Sequence, residues 1–303
     1  MTNKERTAWL EARRLGIGGS DVGAIIGVNS YRTPLDVYLD KTGQAPLETE
    51  ESAPMYWGNV LEEVVAQEFA KRTGKTIRRR NSSFVHGEFG FLRANIDRYI
   101  VGEKSILECK TAGEFTKGDW GEDGTDEIPF AYLVQIYHYM TVTNYHRAYC
   151  AVLIGGRDYR IYDIPYRRET ADKLVARCSD FWHNHVIPRV PPEPVNQDDL
   201  SSLFPAHVDK AVTATDEIAN MIGHYNELKT QAKDYDETLE KLKFEIQKFM
   251  GEAGALVDIH GATLATWRSA KSSRLDTSTL KMAEPEIYKK YLKEASCRRF
   301  LVK

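Results

Sequence analysis

Two carboxylates and a lysine stand in a stretch able to fold back on itself. It reads Ala94-Asn95-Ile96-Asp97-Arg98-Tyr99-Ile100-Val101-Gly102-Glu103-Lys104-Ser105-Ile106-Leu107-Glu108-Cys109-Lys110. Gly102-Glu103 is expected to be the loop of a hairpin, with glycine at the first central position of a type II′ turn. Counting outward, Val101 pairs with Lys104 and Asp97 with Glu108. Like charges directly opposed across a ladder are destabilising. A divalent cation between them removes that penalty and uses both as ligands. Lys110 projects from the same face as Glu108. Hard oxygen ligands beside an ammonium suit phosphodiester hydrolysis. The plainer alternative is a salt-bridged Glu-x-Lys pair on a surface strand.

Two flanking segments bear on that chemistry. Residues 59–72, NVLEEVVAQEFAKR, are expected to form an amphipathic helix closed by Gly74. Glu62 then lies in its first turns, as a third ligand or as plain helix-terminus electrostatics. Glu63 is its solvent-facing neighbour. A second helix, about 130–142, follows Pro129, which suits helix position one. It carries Gln135 inside an apolar run, either as a satisfied amide or as a group that orients a water or a phosphate.

Strands are expected over 91–101, 105–110, 147–154 and 158–166, and a further helix over 167–186. Ser20 is read as the N-cap of a short helix through Ile26, ended by Gly27. Strands on both sides of a helix give an α/β core. The proline-rich stretch Val190–Phe204 breaks every periodic pattern and reads as a connector. Beyond it, 208–250 reads as one long helix. Ile218, Tyr225, Ala232, Leu239 and Ile246 recur every seven residues, and Met221, Leu228, Tyr235, Leu242 and Phe249 follow three positions later. Such a stripe must pack on a hairpin partner within the chain, on another subunit or on another protein. Residues 255–268 alternate around His260-Gly261 like a hairpin. The division expected is 1–190, a connector 191–207, and a C-terminal extension 208–303 with helix, hairpin and basic tail.

Composition narrows the class. Hydrophobic residues make up 42% and charged residues 28% of the 303, the range of ordinary globular proteins, which excludes long disorder and collagen-like repeats. The net charge of −3 does not exclude nucleic acid, because a basic track can be offset elsewhere. The last 36 residues carry 10 basic and 4 acidic side chains, so the tail is locally basic. No run of eighteen apolar residues marks a membrane span, and the N-terminus lacks a signal-peptide core. Cys109, Cys150, Cys178 and Cys297 are scattered without a CxxC pair. They read as free thiols in a reducing cytoplasm and argue against structural zinc or an iron–sulfur cluster.

The order Glu62, Asp97, Glu108-Cys109-Lys110, Gln135 resembles the PD-(D/E)xK nuclease core. More narrowly, it is similar to the YqaJ-type phage recombination nucleases, which are like lambda exonuclease. The block Arg13-Arg14-Leu15-Gly16-Ile17-Gly18-Gly19-Ser20-Asp21-Val22 is the family's other marker, and Trp57-Gly58 and Tyr132 complete the pattern over about residues 9–187. Many relatives have Pro-Asp-Gly where this chain has Ile96-Asp97-Arg98, so Arg98 is expected on the opposite face or against DNA.

The resemblance implies a central mixed sheet flanked by helices. It implies two Mg²⁺ ions, with Mn²⁺ as a substitute: one on Asp97, Glu108 and the Cys109 backbone carbonyl, one shared by Glu62 and Asp97. Lys110 would position or help deprotonate the attacking water, and Gln135 would support the site. Arg14 would grip the 5′-phosphate of a DNA end, with Ser20 at a helix start. Arg13 is its rival, and a plain cap with a surface arginine is the alternative. The implied activity is 5′-to-3′ resection of linear double-stranded DNA to 3′ single strands. It would be carried out by a ring-shaped homotrimer beside a single-strand annealing protein of the RecT/Bet type, in the cytoplasm of a phage-bearing or prophage-bearing host. An endonuclease, a single-strand nuclease and a non-catalytic DNA-binding or assembly module are the competing readings. Arg78-Arg79-Arg80 either tracks a phosphate backbone or ends a solvated strand. Thr111–Ile128 is either a flap at the DNA end or simply a loop.

Overall fold

The computed structural model describes residues 3–47, 52–80, 82–293 and 298–303. Cys297 lies outside them. The chain divides into two compact units, Met1–Leu203 and Phe204–Lys303. In chain order the first unit has α1 (Asn3–Arg14), α2 (Gly19–Ile25), α3 (Pro34–Lys41), α4 (Ala53–Thr73), β1 (Ile77–Arg78), β2 (Phe84–Val85), β3 (Arg93–Ala94), β4 (Arg98–Ile100), β5 (Ser105–Ala112), α5 (Phe130–Thr143), β6 (Arg147–Ile154), β7 (Asp158–Pro165), α6 (Arg168–Phe181) and α7 (Gln197–Leu203).

Five strands form one mixed sheet in the order β1-β4-β5-β6-β7. β5 and β6 pair in parallel, and every other pair is antiparallel. A parallel pair needs a long crossover, and α5 supplies it. Side chains alternate across β5. Ile106 joins the cluster under α2, α5 and α6, whereas Leu107 and Cys109 join Val65, Ala66 and Phe69 of α4. The sheet is therefore covered by helices on both faces, the α/β architecture expected.

Several local expectations needed correcting. The stretch 91–101 is not one strand: β3 pairs with β2, and β4 pairs with β1 and β5, with 95–97 irregular between them. α4 starts six residues before 59, because Ser52 caps it and Pro54 fits its first turn. Pro129 takes the N-cap position of α5 rather than its first turn. α6 runs on through a wider π turn, Trp182–Val186. Part of the expected connector folds as α7. Its buried Asp199 accepts hydrogen bonds from Thr33 Oγ1 (2.8 Å) and Val195 N–H (2.9 Å).

The second unit contains α8 (Asp216–Met250), β8 (Ala255–Val257), β9 (Thr263–Thr266), α9 (Thr277–Ala283) and α10 (Pro285–Tyr291). The long helix begins at Asp216 rather than 208, where the Thr215 side chain caps Ile218 N–H. Among the described residues of this unit its heptad rows stay exposed, from Ile218 and Met221 to Leu242 and Phe249. A helical hairpin partner within the unit does not cover them. β8 and β9 form the expected hairpin, with Gly261 at φ 84°.

Candidate active site

The β4–β5 hairpin has the register expected, with Arg98 opposite Leu107 and Tyr99 opposite Ile106. Its turn differs. Glu103 N–H donates to Ile100 O (3.3 Å), so Gly102 is the second central residue, at φ 84°. That conformation needs no β-carbon, and a glycine supplies it. Continuing the ladder one step sets Asp97 across from Glu108. Asp97 Oδ2 accepts the Cys109 N–H at 2.8 Å, taking the place of a ladder partner.

Glu108 is buried, 2% exposed. Its Oε1 accepts from Lys110 Nζ (2.7 Å) and Gln135 Nε2 (2.8 Å). Its Oε2 is buried with no hydrogen-bond partner. Gln135 also donates to Tyr139 Oη (3.0 Å) and accepts from Lys110 Nζ (3.3 Å). Lys110 Nζ lies 4.9 Å from the Tyr132 ring centre. Tyr132, Gln135 and Tyr139 fall at helical spacing on α5, so one face of that helix meets the strand.

Electrostatics separate these groups. Burial and the neighbouring Glu108 push the Asp97 carboxyl up to about 8, against the pull of Lys110. Burial also raises Glu108, again opposed by Lys110. Burial opposes the charge on Lys110, but Glu108 and Asp97 outweigh it and hold its pKa above the usual lysine value. Lys110 is thus an ammonium, and the two carboxyls share too little positive charge. An orphaned carboxylate oxygen beside a second strained carboxyl fits a hard divalent cation. Among the described residues no group of three or more His, Cys, Asp or Glu side chains converges as a metal cage.

Glu62, the expected third ligand, is already engaged through one carboxylate oxygen. It lies in mid-helix on α4, far from a helix terminus. Its Oε1 accepts from Arg98 (2.6 Å) and Arg79 (2.8 Å). Arg98 is buried, and also donates to Asp97 O and Glu63 Oε2, each at 2.6 Å. It points to the α4 face of the sheet.

The N-terminal block lines a cleft of about 250 Å³ with Trp9, Arg13, Gly18, Ser20, Arg93 and Asp97 on its walls. Close approach explains two of its glycines. A β-carbon on Gly16 would lie 2.4 Å from Phe91 O, and one on Gly19 would lie 2.4 Å from the Tyr139 ring. Ile17 can therefore exchange backbone bonds with Phe91 and Arg93, and α2 can seat against α5.

Three corrections follow. Gly18, not Ser20, is the N-cap of α2, and Asp21 Oδ2 accepts the Gly18 N–H at 2.9 Å. Ser20 is exposed and accepts from Arg13 Nη2 at 3.2 Å. Arg14 faces away from the cleft, donating to Asp40 Oδ1 (3.2 Å) and Ala45 O (2.6 Å). Arg13 is the one on the cleft wall. Neighbouring helical residues point about 100° apart, so only one of the pair can face it. Arg93 was missed from sequence. Its Nε is buried without a partner, and its stem packs over Gly16. Arg79, expected either to track a phosphate backbone or to end a solvated strand, pairs with Glu62. Tyr139 could have been found as the residue four after Gln135.

The loop after β5 is anchored. Trp120 is buried against Tyr132, and Gly124 N–H donates to Ile161 O at 2.8 Å. Phe115 on its 3-10 turn is fully exposed. Cys109, Cys150 and Cys178 are free and buried. Among the described residues no helix is long and apolar enough to cross a membrane.

An α/β sheet presenting a buried Glu108 with the half-buried Asp97 and Lys110 beside it is a layout suited to phosphodiester chemistry. Solved structures similar to this chain include an alkaline exonuclease from Laribacter hongkongensis, with a TM-score of 0.48 and 15% identity, covering 58% of this chain and 91% of that one. A phage-related exonuclease from Haemophilus somnus 129PT gives 0.43 and 17%, covering 55% and 91%. The YqaJ-like viral recombinase domain matches residues 8–146. The Bacillus subtilis (strain 168) protein YqaJ is 36% identical over 305 residues, spanning 98% of this chain and 94% of that protein. The chain belongs to the YqaJ-like viral recombinase family.

Proposed function

We propose that this chain is a divalent-metal-dependent deoxyribonuclease that resects linear double-stranded DNA from 5′ ends, leaving 3′ single strands for recombination. The observation that carries the reading is the buried, unpartnered Glu108 Oε2 beside Asp97 and Lys110. Asp97, Glu108 and the Cys109 carbonyl would hold Mg²⁺, or Mn²⁺ in its place. The ion supplies Lewis-acid polarisation of the phosphate and a more acidic water. Lys110, fixed as an ammonium by Glu108, stabilises the charge that develops on the phosphate oxygens rather than taking a proton. Gln135 fixes the Glu108 and Lys110 heads through its amide. Assembly as a homotrimer, and transfer of the exposed strand to an annealing protein, come from the family resemblance and complete the reading.

The test is digestion of linear double-stranded DNA labelled at either the 5′ or the 3′ end, with Mg²⁺ or EDTA, beside a closed circle. Early Mg²⁺-dependent release of the 5′ label with an intact circle is expected. Cleavage of the circle would move the assignment to an endonuclease, and no cleavage of any substrate to a binding module.

End recognition falls to Arg13, with Ser20 and Arg93 on the same wall, in place of Arg14. Arg13→Ala is expected to slow digestion of 5′-phosphorylated ends at least about tenfold, the worth of one charge-assisted contact. Digestion of 5′-hydroxyl ends should barely change. An equal loss on both substrates would remove the phosphate role from Arg13.

A further inference from the structure

We propose that Arg98 occupies the place of a second cation, so that each site holds one divalent ion. The inference rests on the nuclease reading above and departs from the two-ion arrangement expected from the family. It begins with the faces of the sheet. Glu108 and Lys110 face α5, whereas Glu62 comes from α4 on the opposite face. Asp97 lies at the strand edge between them. Whatever links Glu62 to Asp97 must sit at that edge, and Arg98 reaches it from the α4 side, holding Glu62 by its carboxylate and Asp97 by its backbone carbonyl. One guanidinium nitrogen donates to both Glu62 Oε1 and the Asp97 carbonyl, and the other donates to Glu63.

The position is built rather than casual. The Arg98 side chain is 3% exposed, and all its partners lie at 2.6 Å. Its planar fork reaches two carboxylates and a backbone carbonyl at once, which a flexible lysine would not. An ion captured by Glu62 would have to share that carboxylate with Arg98 and Arg79. Displacing Arg98 from Glu62 instead would leave that buried guanidinium with the exposed Glu63 as its carboxylate partner, which is unfavourable.

Charge counting points the same way. Asp97, Glu108, Glu62 and Glu63, taken as carboxylates, face Lys110, Arg98 and Arg79, which leaves one net negative charge. One divalent ion turns that into a single positive charge, matched to an incoming phosphodiester. A second ion would raise it to plus three.

Arg98 is therefore a positioning residue: it neutralises Glu62 and braces the Asp97 backbone while Asp97 and Glu108 hold the ion. The test is Mn²⁺ titration of the full chain, reading free Mn²⁺ by electron paramagnetic resonance. It is run alone and with a phosphorothioate DNA end that resists cleavage. The expected count is one ion per chain in both cases. Asp97→Asn should lose it, and Glu62→Gln should keep it with an affinity within about threefold. A folded Arg98→Ala should rise to two. Two ions in the unaltered chain, with one lost in Glu62→Gln, would overturn the proposal and leave the nuclease reading intact. So would a folded Arg98→Ala that still holds one, since Arg98 would then be merely structural. If Arg98→Ala does not fold, the Glu62→Gln count decides. No bound Mn²⁺ in any form would overturn the nuclease reading along with it.

Discussion

Asp97→Asn and Lys110→Ala are each expected to lower DNA cleavage by about 10²–10³-fold or more, the loss seen when one preorganised charge-stabilising group is removed. The two act through different links. Lys110→Ala removes the ammonium that stabilises developing charge. It also strips Glu108 of its ionic partner among the described residues, leaving Gln135 on Oε1. Lys110→Arg is not a rescue, because a longer planar fork cannot reproduce one point charge between Glu108 and Gln135. Asp97→Asn keeps an oxygen for the Cys109 N–H and removes only the charge. Single-turnover digestion of linear DNA in Mg²⁺ measures both, and full activity in either variant would sink the assignment.

Stability distinguishes a lost function from a lost fold. The Asp97 carboxyl is raised from 3.8 to about 8 by burial and by Glu108. The folded chain therefore holds a proton there that the unfolded chain has released. Between those pH values the ion-free protein loses stability as pH rises. Asp97→Asn lacks that loss. Its melting temperature at pH 8 without divalent ions should equal or exceed that of the unaltered chain, even though its DNA cleavage is lowered.

The hairpin around Gly102 was legible because strand alternation and a short turn leave few registers. Asp97 faces Glu108 whether the glycine is first or second in the turn. Helices with strong local signals were legible too, as Gly74 shows at the end of α4. What was not legible is where long side chains commit their charges. Arg98 and Glu62 are 36 positions apart, and nothing local pairs them. Arg13 and Arg14 are equivalent by type, and only the rotation of α1 separates them. That rotation is fixed by Lys41, whose ammonium donates to the Arg13 carbonyl at 3.1 Å. Ser20 was the better cap by propensity, yet Gly18 caps α2 because the close packing of Gly19 on Tyr139 sets where the helix starts. The exposed heptad rows of α8 show the opposite limit: a periodic pattern reports that a face is apolar, not what covers it.

Asp21→Ala should destabilise the fold by about 3–5 kcal/mol, the range for breaking a buried ion pair by removing one partner. Asp21 is 1% exposed, and its carboxylate meets Lys41 Nζ and Arg32 Nη1, both at 2.8 Å. Burial alone would raise its pKa, but Lys41 and Arg32 outweigh burial and lower it from 3.8 to about 2. A depressed carboxyl contributes stability that is present above the unfolded value and is lost as pH falls through the folded one. Protonation near pH 2 should therefore cost roughly 2 kcal/mol. Alanine costs more, because it also leaves the buried Lys41 with the half-exposed Asp40 as its remaining carboxylate among the described residues, at 3.2 Å. Urea unfolding at pH 7 measures the loss, and a change below about 1 kcal/mol would show that Asp40 compensates for the missing carboxylate. The damage should reach the cleft. Asp21 holds the Gly18 N–H, and Lys41 holds the Arg13 carbonyl, so one network fixes both ends of the turn that presents Arg13. Discrimination between phosphorylated and hydroxyl 5′ ends should weaken in Asp21→Ala under conditions where the variant is still folded, because Arg13 keeps its charge but loses its place.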